Sequence, residues 1–368
     1  MCLFLILISY ISALANAEEG VLESAKSPEL GSFLEKKTSL SLVARQFDEA
    51  NIDRASLVGP HFNFSGALFL ADQQSFVFDV VGIQEFGTSQ SRFGENVPSN
   101  GIFANEAYFQ WLRKRWTVEA GVINQGWLEN ELLFENQPFP AIKMQYDWRK
   151  EEDKRLSLFA QLAMPTSTRI KTRTTANQKE PTSMVLGSEY FRNKAEYKGK
   201  MKFYYYSLNN LPSEVAVESS VFGNSVTIPS ASTARFDEEF QGFAFVFDLE
   251  LFQEDLVWLL ALKTLQNTTT ESGYGFGQVV KLGARYKFYK REVTTNFVYF
   301  FNESDTSVAS YNSYKYGHNN RLGYGLEAKL RYQENVDILL EVLSSDTIND
   351  SLVQNEITFL NFATKWTF

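Results

Sequence analysis

Counting back from Phe368 in steps of two gives Trp366, Thr364, Phe362 and Leu360, and the interleaved set is Thr367, Lys365, Ala363, Asn361 and Phe359. A period of two is that of an extended strand with one apolar face and one wetter face. This strand runs to the final residue and stops on an aromatic. Chain ends fray unless something holds them, so the segment is expected to be paired into a sheet.

The same alternation recurs along the chain in stretches of about ten residues. From Leu322 the apolar phase holds Leu322, Tyr324, Leu326, Ala328, Leu330 and Tyr332, against Arg321, Glu327, Lys329 and Arg331 in the other phase. After Gln333-Glu334-Asn335 come Val336, Ile338, Leu340 and Val342, alternating with Asp337 and Glu341. Earlier stretches behave alike: Phe62 to Leu70, Phe76 to Val80, Trp116 to Val122, Leu156 to Leu162, Phe243 to Leu249, Val280 to Phe288 and Val293 to Phe301. Met184–Tyr190 and Tyr197–Ser207 alternate less cleanly. A slip of one residue would carry every charge to the apolar face, so the register is strongly specified.

Pairing these stretches predicts about sixteen strands. Short turns fall near Ala71–Gln74, Lys114, Arg149–Lys154, Arg192–Ala195, Leu251–Asp255, Tyr289–Glu292 and Gln333–Asn335. Between them lie longer polar segments near 48–60, 86–102, 126–140, 165–182, 209–238, 267–274, 302–320 and 345–354. Turns that alternate short and long, with aromatics at the strand ends (Trp148, Trp258, Tyr286, Tyr332, Trp366), predict an all-β transmembrane antiparallel barrel with short periplasmic turns and long extracellular loops. A soluble β-sandwich also alternates, but neither the uniform strand length nor the loop asymmetry is expected of it.

Composition sharpens this. The chain has 368 residues, 15% of them aromatic, with a formal net charge of -9. Its mean hydropathy of -0.24, and the lack of any run of ~18 apolar residues, exclude a bundle of membrane helices. A barrel passes this test because only half of each strand meets lipid. The acidic balance and the absence of a basic stripe argue against nucleic acid.

The one cysteine, Cys2, begins an apolar run to Leu14 that is followed by Ala15-Asn16-Ala17. That pattern predicts a signal peptide over 1–17, although no Lys or Arg precedes the apolar run. A polar periplasmic lead-in is expected over 18–37 and the barrel over 38–368. No thiol would then remain for a disulfide, nucleophile or thiolate metal site.

Taken together, these features resemble the sixteen-stranded porins of Gram-negative outer membranes, both general and solute-specific. A terminal strand ending in Phe is the signal that the insertion machinery of such barrels reads, and it falls here on Leu360, Phe362, Trp366 and Phe368. The pair Glu106-Ala107-Tyr108 and Glu119-Ala120-Gly121 is similar to a hairpin common in that family. The resemblance implies a water-filled channel for ions and small hydrophilic solutes, set among outer-membrane lipid and lipopolysaccharide as a homotrimer.

It also implies that the third long loop folds inward and narrows the pore. Here that loop carries Glu129, Glu131 and Glu135 beside Trp127, Leu132, Leu133, Phe134 and Phe139. An exposed loop has little reason to hold so many apolar residues, so infolding is expected. The Lys281–Arg331 region is the candidate basic wall, with Lys281, Arg285, Arg321, Lys329 and Arg331, and barrel closure decides whether it faces the loop. Catalysis would need a nucleophile–base or acid–base set. The only histidines, His61 and His318, fall near outer loop ends, so no catalytic residue, metal or cofactor is expected. A surface-receptor role carried by 209–238 is the remaining alternative outside transport.

Overall fold

In lipid, a strand is stable only when both edges are paired, because unpaired N–H and C=O groups there find no water. The chain meets this demand by closing on itself. The computed structural model describes residues 32–50, 53–88, 98–166, 179–230, 233–270, 274–289 and 291–368. The expected signal peptide and most of the lead-in lie outside the described residues.

Sixteen antiparallel strands form the wall: β1 (Phe33–Glu49), β2 (Asp53–Ala71), β3 (Gln74–Gln84), β4 (Asn100–Arg113), β5 (Trp116–Asn124), β6 (Pro138–Lys150), β7 (Lys154–Ala163), β8 (Thr182–Asn193), β9 (Tyr197–Asn209), β10 (Phe240–Gln253), β11 (Leu256–Asn267), β12 (Phe276–Phe288), β13 (Arg291–Asn302), β14 (Arg321–Gln333), β15 (Val336–Thr347) and β16 (Ile357–Thr367). Each pairs with the next. The terminal strand closes the ring against β1, from Ser39↔Thr367 to Glu49↔Ile357. The N–H of Phe368 adds a bond to Thr38 O at 2.8 Å. Among the described residues, no helix is long and apolar enough to cross a membrane.

The apolar phase faces outward, as the alternation requires. Leu326 is 63% exposed and Leu162 64%, values that suit a side chain facing lipid rather than water. Trp116 and Tyr146 pack at 4.7 Å with their rings tilted, next to the short turns, in the position of an interfacial girdle.

Three boundaries differ from the sequence expectation. β1 starts at Phe33 rather than Thr38; Glu35-Lys36-Lys37 hides the alternation, while Phe33 packs against Phe64 and Phe78 at 6.3 Å each. β15 likewise runs on to Thr347.

Most of the expected long loop over 48–60 is instead strand, with β1 running to Glu49 and β2 already under way at Asp53. Gly59-Pro60 resembles a turn in sequence but marks a gap in the pairing of β2 with the following segment. Below it His61 pairs with Ile83, and above it Val58 pairs with Phe86. The register is the same on both sides, and Glu85 lies in the unpaired step between them. Proline lacks a ladder N–H and is tolerated at such a place, and a Cβ on Gly59 would come within 1.9 Å of Gln84 O.

The inner phase, which carries the lumen-facing acids and bases, is not polar along its whole length. In the outer half of the barrel it includes many apolar residues: Val185, Tyr204, Tyr206, Val246, Leu265, Val279, Val298 and Phe300 are all buried. They are covered by two outer loops that enter the lumen, 125–137 and 303–320, and the three layers share one core. Helix α1 (Ser213–Val221), in the fifth outer loop, backs this assembly, with Ser219 Oγ donating to Ser310 Oγ at 3.0 Å.

Candidate functional site: the loop-narrowed lumen

The third outer loop starts where β5 ends at Asn124, whose side chain accepts from the N–H of Gly126 at 2.7 Å and caps a 3-10 turn over Gln125–Leu128. Glu129 follows at φ 61°, in the left-handed region that non-glycine residues seldom adopt. Strain of this kind, of order 1–3 kcal/mol, persists only where surrounding contacts hold it. Those contacts are lysines on β9: Lys200 Nζ lies 2.6 Å and Lys202 Nζ 3.0 Å from the Glu129 carboxylate.

Asn130 ties the next turn to the wall by donating to Thr264 O at 3.0 Å. Trp127 donates from Nε1 to Gln161 Oε1 at 3.0 Å, packs edge-on against Phe159 and lies 4.4 Å beneath Lys143 Nζ. Gly187 makes room here, since a Cβ would sit 2.4 Å from that of Tyr204 and 2.8 Å from Phe159.

Glu131 bonds to Lys263 on β11 and lies 3.7 Å from Lys281 on β12. Burial alone would raise its pKa, but Lys263, Lys281 and Lys315 outweigh burial and hold it at about 2. Glu129 is likewise lowered against its burial by Lys202 and Lys200.

Glu135 turns the other way. It accepts from Ser313 Oγ at 3.1 Å and meets no lysine at ion-pair distance among the described residues. Burial pushes it up to about 7, against the pull of Lys315, Ser313 and His318, with Glu131 adding to the rise.

The seventh loop supplies a lysine of its own. Lys315 reaches Glu327 at 3.0 Å and Glu341 at 3.4 Å. Burial opposes its charge, yet Tyr316, Glu327, Glu341 and Glu131 push its pKa well above the usual lysine range. Acids and bases therefore alternate across the lumen: Arg155–Glu189–Lys202–Glu129–Lys200–Asp248 on one side and Lys263–Glu131–Lys281–Glu327–Lys315–Glu341 on the other. A cleft of about 520 Å³ opens beside the first chain, lined by Glu129, Arg155, Glu189, Lys198, Lys200 and Asp248 among others.

Of the basic wall expected from sequence, Lys281 alone meets the third loop. Arg285 is held by Glu250 at 3.2 and 3.3 Å. Lys329 and Arg331 share Asp337, at 2.9 and 3.1 Å, beside the β14–β15 turn. Arg321 is 1% exposed at the opposite, outer end. It donates to Gly317 O, Asn355 O and Glu49, and so fastens loops to wall.

The lysines that engage the loop most directly are Lys200, Lys202 and Lys263. In sequence they are three inward bases among many. Lys315 was missed with its loop, although Tyr311, Tyr314 and Tyr316 carry the same signal that marked the third loop: aromatics where a solvated loop has no use for them.

The two histidines are held in different parts of the barrel. His61 Nε2 meets Glu85 at 3.0 Å inside the barrel, alongside Arg45. His318 is buried in the seventh loop, its Nδ1 at 2.7 Å from Ala309 O and its ring stacked on Phe222 at 4.4 Å. Of the four expected insertion residues, Leu360, Phe362 and Phe368 are exposed on the outer face, and Trp366 pairs with Leu40 and Val336.

No family model and no curated protein matches the sequence. Solved structures do. OprB of Pseudomonas putida, in a high-pH structure, superposes with a TM-score of 0.60 at 11% identity, over 92% of this chain and 94% of that one. The outer-membrane channel DcaP of Acinetobacter baumannii gives 0.51 at 10% identity, over 94% and 100%. OmpT of Vibrio cholerae, an in-vitro-folded outer-membrane protein, gives 0.52 at 6% identity, over 91% and 99%. A trimer form of OmpT gives 0.51 at 8% identity, over 92% and 100%. At these identities the likeness is one of fold: the chain is a closed sixteen-stranded barrel of the outer-membrane porin type.

Proposed function

We propose that this outer-membrane β-barrel is a diffusion channel for ions and small hydrophilic solutes, narrowed by its third and seventh outer loops acting together. One observation carries the reading. In a barrel of this strand number, wide enough for an aqueous lumen, Glu129 and Glu131 sit inside the wall and engage Lys200, Lys202, Lys263 and Lys281. Fixed charges of both signs in a water-filled constriction create a transverse field that orients water and polar solutes. Because the signs alternate and pair, the field favours small polar and zwitterionic solutes over strong ion selectivity.

Transport fits better than catalysis. His61 and His318, the residue type most often used for acid–base work, are engaged with Glu85 and within the seventh loop respectively. A homotrimer is in keeping with the trimer form of OmpT.

Stepwise conductance of the purified protein in planar bilayers is the expected result, and a folded barrel that passes no current would overturn the reading. A solute-specific channel is the second reading, favoured by the charged cleft beside Glu129, Arg155 and Glu189. If it holds, a zwitterionic solute such as an amino acid reduces ionic conductance saturably. Liposome swelling that follows solute size alone would count against it.

A further inference from the structure

We infer that the outer surface of β4–β6 at the periplasmic rim is a binding site for an anionic glycerophospholipid of the inner leaflet. Its phosphate would lie at the Arg113-Lys114-Arg115 turn and one acyl chain in the trough over β5.

The trough follows from side-chain size and register. Across the outer face, Trp111 pairs with Val118 and Val118 with Met144; one step toward the outer end, Phe109 pairs with Ala120 and Ala120 with Ile142. Small residues on β5 thus run between larger ones on β4 and β6. The groove has a volume of about 610 Å³ and is lined by Trp111, Trp116, Val118, Met144 and Tyr146, with the three cations at its mouth. An acyl chain fits such a slot, and Trp and Tyr at its lower end belong at headgroup depth.

Charge selects the headgroup. Arg113, Lys114 and Arg115 are all exposed, and among the described residues none has an ion pair with a carboxylate. Arg113 leans over Trp111 at 6.0 Å, and Arg115 Nη1 donates to Trp148 O at 3.3 Å. Every other short turn described in full carries an acid: Asp72, Glu151 with Asp153, Glu196, Glu254 with Asp255, and Glu334. Asp72 lies on the adjacent turn, where Gln73 O accepts from Leu112 N–H at 2.8 Å. The mouth remains net positive. An excess of cations on one turn, above an apolar slot, matches a phosphate above an acyl chain.

The test uses the full-length protein in neutral detergent. Native mass spectrometry compares retention of dioleoyl phosphatidylglycerol with dioleoyl phosphatidylcholine. Each basic residue near a lipid surface adds to anion affinity, so phosphatidylglycerol is expected to be retained at least about tenfold better. R113Q/K114Q/R115Q should abolish that preference, while K194Q on another turn leaves it intact. Ala120→Trp, which fills the trough without touching the charges, should weaken retention of both lipids. Quenching of wild-type tryptophan fluorescence by brominated phosphatidylglycerol, and less by brominated phosphatidylcholine, gives a readout that needs no variant. Equal retention of the two lipids overturns the site, as does a preference that survives the triple substitution. Full displacement by inorganic phosphate would show a headgroup contact with no acyl seat and would also overturn it.

Discussion

The main-chain N–H of Glu135 donates to the carbonyl of Tyr311 at 2.9 Å, which makes the third and seventh outer loops one body. Ser313 N–H returns a bond to Glu131 O at 2.9 Å, and Ser307 Oγ donates to Leu132 O at 2.5 Å. The Tyr311 ring fills the angle between Phe134 and Phe139, at 6.0 and 5.3 Å. Deleting a buried aromatic of this kind costs ~3–5 kcal/mol, here borne by the loop junction and not by the strand ladder. Tyr311→Ala should therefore leave a folded barrel whose single-channel conductance is larger and noisier. Unchanged conductance would show that the seventh loop does not hold the third in place.

The constriction should respond to loss of one carboxylate in a definite direction. Glu131 balances Lys263, Lys281 and, at longer range, Lys315. Breaking a buried pair by removing one partner costs ~3–5 kcal/mol and leaves the other charge uncompensated. Glu131→Gln should shift the reversal potential in a salt gradient toward anions, and Glu129→Gln should do the same through Lys200 and Lys202. An unchanged reversal potential in both variants would place the ion path away from this loop.

How far the sequence discloses these features depends on which neighbours a strand has. Where a wall residue faces water on one side and lipid on the other, alternation is visible, as at Tyr324 to Tyr332 against Glu327, Lys329 and Arg331. It fades at Val298 and Phe300, because both faces there are apolar: one meets lipid and the other meets Tyr316 and the loops. The less clean Tyr197–Ser207 stretch has the same cause, with Tyr204 and Tyr206 buried under the third and seventh loops.

The acids of the third loop were legible because they sit among aromatics. Their partners were not, since Lys200, Lys263 and Lys281 lie on different strands and only closure of the barrel decides which bases face the loop. Arg321 shared the inward phase with Lys281 yet ended at the outer rim. Phase fixes the face a residue occupies, whereas depth comes from pairing.

Glu135 offers a pH test. Burial raises its pKa to about 7, opposed by Lys315, Ser313 and His318 and reinforced by Glu131. A carboxyl with a raised folded-state pKa favours the docked loops while protonated. That contribution is full below its ordinary pKa and is lost as pH rises through about 7. The docked loop pair should therefore loosen as pH rises from about 4.5 to about 7, seen as growing current noise. Glu135→Gln, which stays neutral, should be quiet throughout that range. A wild-type channel equally quiet at both ends would remove Glu135 from this role.

Arg321 and Lys281 share a phase but should separate in experiment. The guanidinium of Arg321 is buried against Glu49, 3.1 Å away, and also donates to Gly317 O and Asn355 O, so it joins β1, the seventh loop and the eighth. Arg321→Gln strands the Glu49 carboxylate and two carbonyls, a loss of ~3–5 kcal/mol by analogy with other broken buried pairs. The expected result is a lower unfolding midpoint in guanidinium with an unaltered reversal potential. Lys281→Gln, next to Glu131 and Glu327, should do the opposite: it shifts the reversal potential toward cations while Lys263 and Lys315 still hold the two acids. If Arg321→Gln changed selectivity as strongly as Lys281→Gln, the outer rim rather than the loop-narrowed lumen would be the part of the channel that discriminates charge.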